Sequence, residues 1–463
     1  MKRKQVPEPR QEANQPVRLQ LDTKIGSPSI RISFTDQRLT AHGGLALWSH
    51  FLHQKGLRQQ LREVLPHEPS SPNAYDPADI ALGYLGGILC GADKLSRVAW
   101  LQSDPAVAEV LGIEAVASQS TFSRFFGVFT QRTCQSLAGL HARTLAALPS
   151  RAGGYTLDLD SWAQLHEDGH QEGVAVGYTR HGLKPCHRPL IAGLAEVKMI
   201  AAYWLRPGNT TCASSAAEFL RQAVENLPRQ VRVGLVRGDS GFADRSVQRA
   251  CQDLGLDYIF VARLTRQVQA LCRHDEAAWQ ATEVAGLSVQ EVSWEEPGQR
   301  LVVLRQKVAQ RPQAGGKTLL EVPGYRFQAL LTNLPSRVPA LAVWRRYNGR
   351  ADLENRIKEL GDQFGIKRLC VRNFWGTEAM HHLAIVAYNL CVLLQRRLGQ
   401  LETCQLSTLR WRLFHRAGVW SRTGGKPTLK LAVHGKAGRT WWREILIKLT
   451  SLPNCHAVGS LQA

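Results

Sequence analysis

The chain has 463 residues, 44% hydrophobic and 21% charged, ordinary proportions for a globular protein of two or three domains. Lys plus Arg is 58 against 38 Asp plus Glu, a formal net charge of +20, and a surplus of that size favours a polyanionic partner through counterion release. The ten cysteines contain no Cys-x-x-Cys pair. That argues against a disulfide framework or a cysteine metal site and fits reduced thiols in a cytoplasm. No apolar run reads as long enough for a transmembrane helix, so no membrane role is expected.

The start, MKRKQVPEPRQEANQPV, is basic, polar and Pro-containing, without the apolar segment of a signal peptide. It reads as a disordered basic arm over residues 1–39. From about 40 to 150 the pattern is helical. Leu45, Leu47, Trp48, Phe51 and Leu52 crowd one amphipathic stretch, and Ile80 to Cys90 is another apolar run. STFSRFF (Ser120 to Phe126) has the form of a helix start with a capping hydroxyl and would carry Arg124 near its N-terminus. A helix-turn-helix element that reads DNA ends is one use of this region; plain helix packing is the other.

At Gly153-Gly154 the period changes. Tyr155, Leu157 and Leu159 alternate with Thr156, Asp158 and Asp160, the signature of a strand. A polar loop with His166 and His170 follows, where solvated histidines are the default expectation. Two strand-like runs, Pro189 to Val197 and Met199 to Leu205, suggest an antiparallel meander. Ser215 and Glu218 have capping-box spacing before a helix with Phe219, Leu220 and Val224 on one face. Val231 to Val236 is a short apolar strand with Asp239 just past its end. A helical face of Val247, Ala250, Cys251 and Leu254 and a buried strand, Tyr258 to Val261, complete a parallel crossover. Ligands in such sheets sit beyond the carboxyl ends of strands.

Residues 264 to 326 depart from this scheme and read as a β-rich insertion, with Trp279 and Trp294 either packed or free to stack on an extruded base. FQALLTN (327 to 333) returns as a core strand. A long helix is expected from about Pro339 and a second from Met380 to Leu398; the tail mixes tryptophans with Arg and Lys.

The acids carry the chemistry. On a helix, Tyr347, Arg350, Glu354 and Lys358 fall within roughly 80° of arc at about 100° per residue. Alone, that stripe reads first as an i, i+4 salt-bridge ladder. Asp160 and Asp239 change the weighting, because each follows an apolar strand where a metal site would need it, and a carboxylate-held metal pair cuts phosphodiester bonds. Asp158 competes with Asp160, about 6.6 Å away along one strand on the same face. Asp160 is preferred because it lies nearer the strand end, leaving Asp158 as a buried hydrogen-bonding partner.

Three motifs in order, LDLDSW, VRGDSGF and Tyr347-x2-Arg350-x3-Glu354 followed by Asn355, resemble those of the DDE transposases of bacterial insertion sequences, in the branch with a β insertion. HGLKPCHRPL and Ala387 to Leu390 (AYNL) extend the likeness over roughly residues 40 to 400. The chain departs from the pattern at Gly361, where some members carry Lys seven residues after the Glu, and at Trp162, where a small hydroxyl residue often stands. The resemblance implies an α/β fold: a ribonuclease-H-like mixed sheet with flanking helices, a β-rich insertion and an N-terminal helical domain. The expected division is a basic arm (1–39), a helical DNA-binding domain (40–150), a catalytic core in two parts (151–263 and 327–400) around the insertion (264–326), and a basic C-terminal region (401–463). Asp160, Asp239 and Glu354 would be the catalytic acids and the ligands of two Mg²⁺ ions, with Mn²⁺ able to substitute, and Tyr347, Arg350 and Lys358 would contact DNA. The implied activity is cleavage at the ends of an insertion sequence and joining of 3′ ends to target DNA. The implied partners are terminal inverted repeats, target DNA and a second protomer in a homodimeric synaptic complex. Alternative readings are a metal-dependent nuclease without joining activity and an inactive DNA-binding repressor; a tyrosine recombinase lacks a His-x-x-Arg partner.

Overall fold

The structure, a computed structural model, describes residues 17–19, 30–32, 34–68, 71, 73–166, 170–179, 181–273, 276–308, 324–399, 401 and 404–451. The basic arm expected over 1–39 lies largely outside these residues; within it, Val17–Leu19 pairs antiparallel with Ile30–Ile32. Residues 309–323 of the expected insertion and the end of the tail also lie outside them.

A nine-stranded sheet organises the molecule. Its strands, numbered in chain order, are β1 (Tyr155–Ser161), β2 (Leu190–Leu194), β3 (Met199–Trp204), β4 (Val233–Gly238), β5 (Asp257–Val261), β6 (Gln280–Ala281), β7 (Leu287–Ser293), β8 (Arg300–Lys307) and β9 (Tyr325–Thr332). They lie in the order β6-β7-β8-β9-β5-β4-β1-β2-β3. Strands β1, β4 and β5 run parallel, and β2 is antiparallel to β1. The 3-2-1-4-5 half is the mixed core sheet, with the expected parallel crossover between β4 and β5. The inserted strands do not form a separate lobe. They continue the same sheet, because β9 pairs with β5 on one side and β8 on the other.

Period-two alternation sorts each core strand between two faces. Tyr155, Leu157 and Leu159 of β1 join Val236 and Phe260 in a core under the helices Ala216–Glu225 and Arg245–Asp253. Ile191, Ile200 and Tyr203 point to the opposite face. There they share one continuous core with the helices between Leu45 and Leu145 and with Phe374–Leu398. Ser215 does not form the expected capping box. Its φ of 55° is left-handed and its side chain makes no cap bond.

Phe374–Leu398 corrects one sequence expectation. It is long and apolar enough to cross a membrane, but 89% of that apolar stretch is buried inside the protein. An all-round apolar helix is what a layer sandwiched between helices and sheet requires. The long helix expected from Pro339 is two helices, Ala340–Asn348 and Ala351–Gln363. At the break, the Arg237 guanidinium donates to the carbonyl of Arg346, and a Cβ on Gly349 would lie 2.7 Å from its Nη1.

Candidate active site

Asp160 lies at the carboxyl end of β1 and is buried. Asp239 is the residue immediately after β4 and is half-buried. The parallel register pairs Arg237 with Asp158. Two residues further along each strand, Asp239 comes level with Asp160, on chains that run about 4.8 Å apart. Local bonds hold both acids at the strand ends: Asp160 Oδ1 accepts from Ser161 N at 2.8 Å, and Asp239 Oδ1 from Gly241 N at 2.8 Å.

Glu354 sits in the first turn of Ala351–Gln363, with its side chain 54% exposed. Leu353 seats this helix against the sheet, where Gly193 of β2 makes room: a Cβ there would meet Leu353 Cδ1 at 2.7 Å. Arg350 ties the acids together. Its Nη2 lies 3.1 Å from Asp160 Oδ2 and donates to the Leu159 carbonyl at 3.2 Å, while its Nη1 lies 3.6 Å from Glu354 Oε1. The buried Tyr347 also bonds Arg350 and feels the charges of Asp239 and Asp160. The helix break at Gly349 therefore leaves Tyr347, Arg350 and Glu354 together. Lys358 is exposed one turn beyond Glu354 and forms no ion pair among the described residues.

The electrostatics record the crowding of like charge. Burial pushes the Asp160 carboxyl up to about 6; Arg350 pulls it down, and Asp239 and Glu354 push it up. Burial works against the Arg350 cation, but Asp160, Tyr347, Asp239 and Asp158 together raise it. Asp158 is differently employed. It is 1% exposed and accepts from Arg237 Nε at 2.6 Å and Nη2 at 2.8 Å, a bidentate pair in the core.

The all-oxygen donor set suits a hard divalent cation, and the Arg350 guanidinium already stands among the carboxylates as a cation. Among the described residues, however, no three His, Cys, Asp or Glu side chains converge closely enough to enclose a metal. Arg350 occupies the approach between Asp160 and Glu354.

Other expectations change. Trp279 is 8% exposed beneath Arg305, whose guanidinium lies 4.5 Å from the ring, and Trp294 packs against the sheet core. Neither is an exposed stacking wedge. His166 is buried against His187, with ring centroids 4.6 Å apart, rather than solvated; His170 is exposed. Arg124 is exposed on the Gln119–Gly127 helix, capped by Ser118. Sequence reasoning missed Arg237. Its signal was a cation inside an otherwise apolar strand, one turn of pleat before the acid.

A mixed sheet with acids at the ends of two adjacent parallel strands, beside a glutamate on a covering helix, defines an acidic-triad α/β protein. The family model for the Transposase DDE domain group 1 matches residues 22–454, and the chain belongs to that family. It is thus a transposase by family, of a kind that cleaves and transfers DNA and generally uses divalent metal. Among solved structures, the cryo-EM structure of the piggyBac transposase synaptic complex with hairpin DNA aligns at 11% identity and a TM-score of 0.41, over 81% of each chain. No curated protein matches the chain.

Proposed function

We propose that the protein binds the ends of its own insertion sequence, cleaves them and joins the freed 3′ ends to target DNA at the site formed by Asp160, Asp239 and Glu354. The observation that carries this reading is the strand register that sets Asp239 level with Asp160, with Arg350 linking Asp160 to Glu354. Asp160, Asp239 and Glu354, which do not converge while Arg350 stands between Asp160 and Glu354, would hold Mg²⁺, with Mn²⁺ as substitute, once Arg350 yields that space. Bound there, two such ions would supply activation of the attacking oxygen and stabilisation of the leaving one. The chain's own groups do the positioning. Arg350 and Tyr347 present a guanidinium and a phenol to the phosphate beside the carboxylates, and Lys358, exposed on the same helix, meets the strand as it leaves. Inverted repeats and a paired second protomer complete the proposed assembly.

The test supplies a precut end with a free 3′-hydroxyl and a supercoiled plasmid. Joining is expected from the wild type and none from Asp239→Asn. Cleavage without joining would replace this reading with that of a nuclease. Unimpaired cleavage by Asp239→Asn would remove the site assignment.

A further inference from the structure

The N-terminal helices and the segment just past β1 enclose a cleft of about 1210 Å³. Its walls come from the Leu95–Ala99 and Gln119–Gly127 helices, residues 163–166 and residues 367–373. Five of its lining residues are Lys or Arg (Lys94, Arg97, Lys367, Arg368 and Arg372) and none is Asp or Glu. In a chain whose acids number 38 against 58 cations, an acid-free wall of this extent is a concentrated positive field. The volume exceeds the roughly 300–1,000 Å³ of small-molecule pockets.

Part of that charge is neutralised by neighbouring acids that do not line the cleft. Arg97 and Arg368 share Asp93, at 2.6 and 2.5 Å, and Lys367 pairs with Asp362 at 2.8 Å. Lys94 and Arg372 are exposed and have no ion-pair partner among the described residues. The Gln119–Gly127 helix turns Gln119, Ser123 and Gly127 to the cleft, while Phe122, Phe125 and Phe126 face the core. Its positive N-terminal end therefore borders the same space. The stretch Ala163 to His166, also part of the wall, begins three residues after Asp160.

We propose that this cleft holds the phosphodiester backbone of DNA and leads it to the carboxylates at the end of β1. The proposal rests on the transposase reading above and adds to it a binding surface with named residues. Exposed cations such as Lys94 and Arg372 suit phosphate oxygens, contacts that act on all sequences alike.

The experiment measures binding of a fluorescent DNA duplex of mixed sequence by anisotropy across a salt series. Lys94→Glu with Arg372→Glu is expected to weaken binding at least tenfold at low salt. The slope of log affinity against log salt should become shallower by about two, since each phosphate contact contributes about 0.9. Lys94→Gln with Arg372→Gln, a gentler change to two exposed residues, should shift the slope in the same direction. Arg422→Glu with Lys426→Glu, an equal charge change on the Gly418–Thr423/Lys426–Leu431 hairpin, which does not line the cleft, should leave the slope nearer the wild type. A steep wild-type slope untouched by the cleft variants, or lowered equally by the hairpin variant, overturns the cleft and leaves the transposase reading standing. Absence of any salt-dependent DNA binding by the wild type overturns both. Displacement of an acidic peptide, with duplex binding unaltered in the cleft variants, would make the cleft a protein-docking surface and refute the proposal.

Discussion

Asp158 and Asp160 are two residues apart on one strand and face the same side, yet the chain uses them differently. Asp158 is locked in a bidentate pair with Arg237 in the core. Asp160 meets a guanidinium on one side and other carboxylates on the other, and its carboxyl is pushed up to about 6. Opposite mutational signatures follow. Asp158→Asn strands a buried guanidinium and should cost about 3–5 kcal/mol of stability, read as a lowered denaturant midpoint. Asp160→Asn leaves Arg350 the Leu159 carbonyl and Glu354 as partners, so it should cost less, while end cleavage falls below detection. Equal destabilisation by the two substitutions would show that the acids are interchangeable and undo the assignment of Asp160. Arg350→Gln should leave the fold largely intact but alter direct binding of Mn²⁺, followed by paramagnetic broadening, because it withdraws the cation that stands between Asp160 and Glu354. Unchanged Mn²⁺ binding would place Arg350 outside the competition for those oxygens.

At the scale of elements, the Glu354 helix depends on close approach to the sheet. Gly193 leaves no space for a methyl group beneath Leu353, whose Cδ1 would be 2.7 Å from it. Gly193→Ala should destabilise by about 1–3 kcal/mol through overpacking and reduce cleavage by lifting Glu354 away. Leu353→Ala in the same chain should recover part of both losses, so the two substitutions are non-additive; simple additivity would mean that the helix is seated elsewhere. Much of this site was legible in the sequence. Alternation in LDLDSW placed Asp160 at a strand end, and helical spacing grouped Tyr347, Arg350 and Glu354. The break at Gly349 was not legible, because it depends on Arg237 reaching the Arg346 carbonyl from a strand more than a hundred residues earlier. Nor was the union of the insertion with the core sheet, since β9 finds both neighbours only after folding. The cleft cations come from segments remote in sequence, and no local pattern announces them.

Across the whole molecule, helical layer and sheet are joined by polar groups buried at their junction. His141 Nε2 and His382 Nδ1 are 2.9 Å apart, Tyr203 Oη and His381 Nδ1 2.7 Å, and Glu378 Oε1 accepts from Leu205 N at 3.1 Å while lying 3.9 Å from His382 Nε2. Burial pushes the Glu378 carboxyl up to about 8, lowers His141 to about 4 and His381 to about 3, and holds His382 well below its ordinary range. The core therefore prefers all four uncharged. The signs oppose each other across the pH scale. Glu378, raised when folded, contributes stability that is fully present below about 4.5 and is lost as pH rises through about 8. The histidines, depressed when folded, contribute stability present above about 6.5 that is lost as pH falls through about 4 and about 3. Glu378→Gln removes only the first contribution. Its melting temperature relative to the wild type should climb from pH about 5 to pH about 8.5, with acid sensitivity below pH about 6 preserved because the histidines remain. A difference that stays flat across that range would mean that Glu378 is already ionised in the folded protein, and that the junction is held by charge rather than by neutral hydrogen bonds.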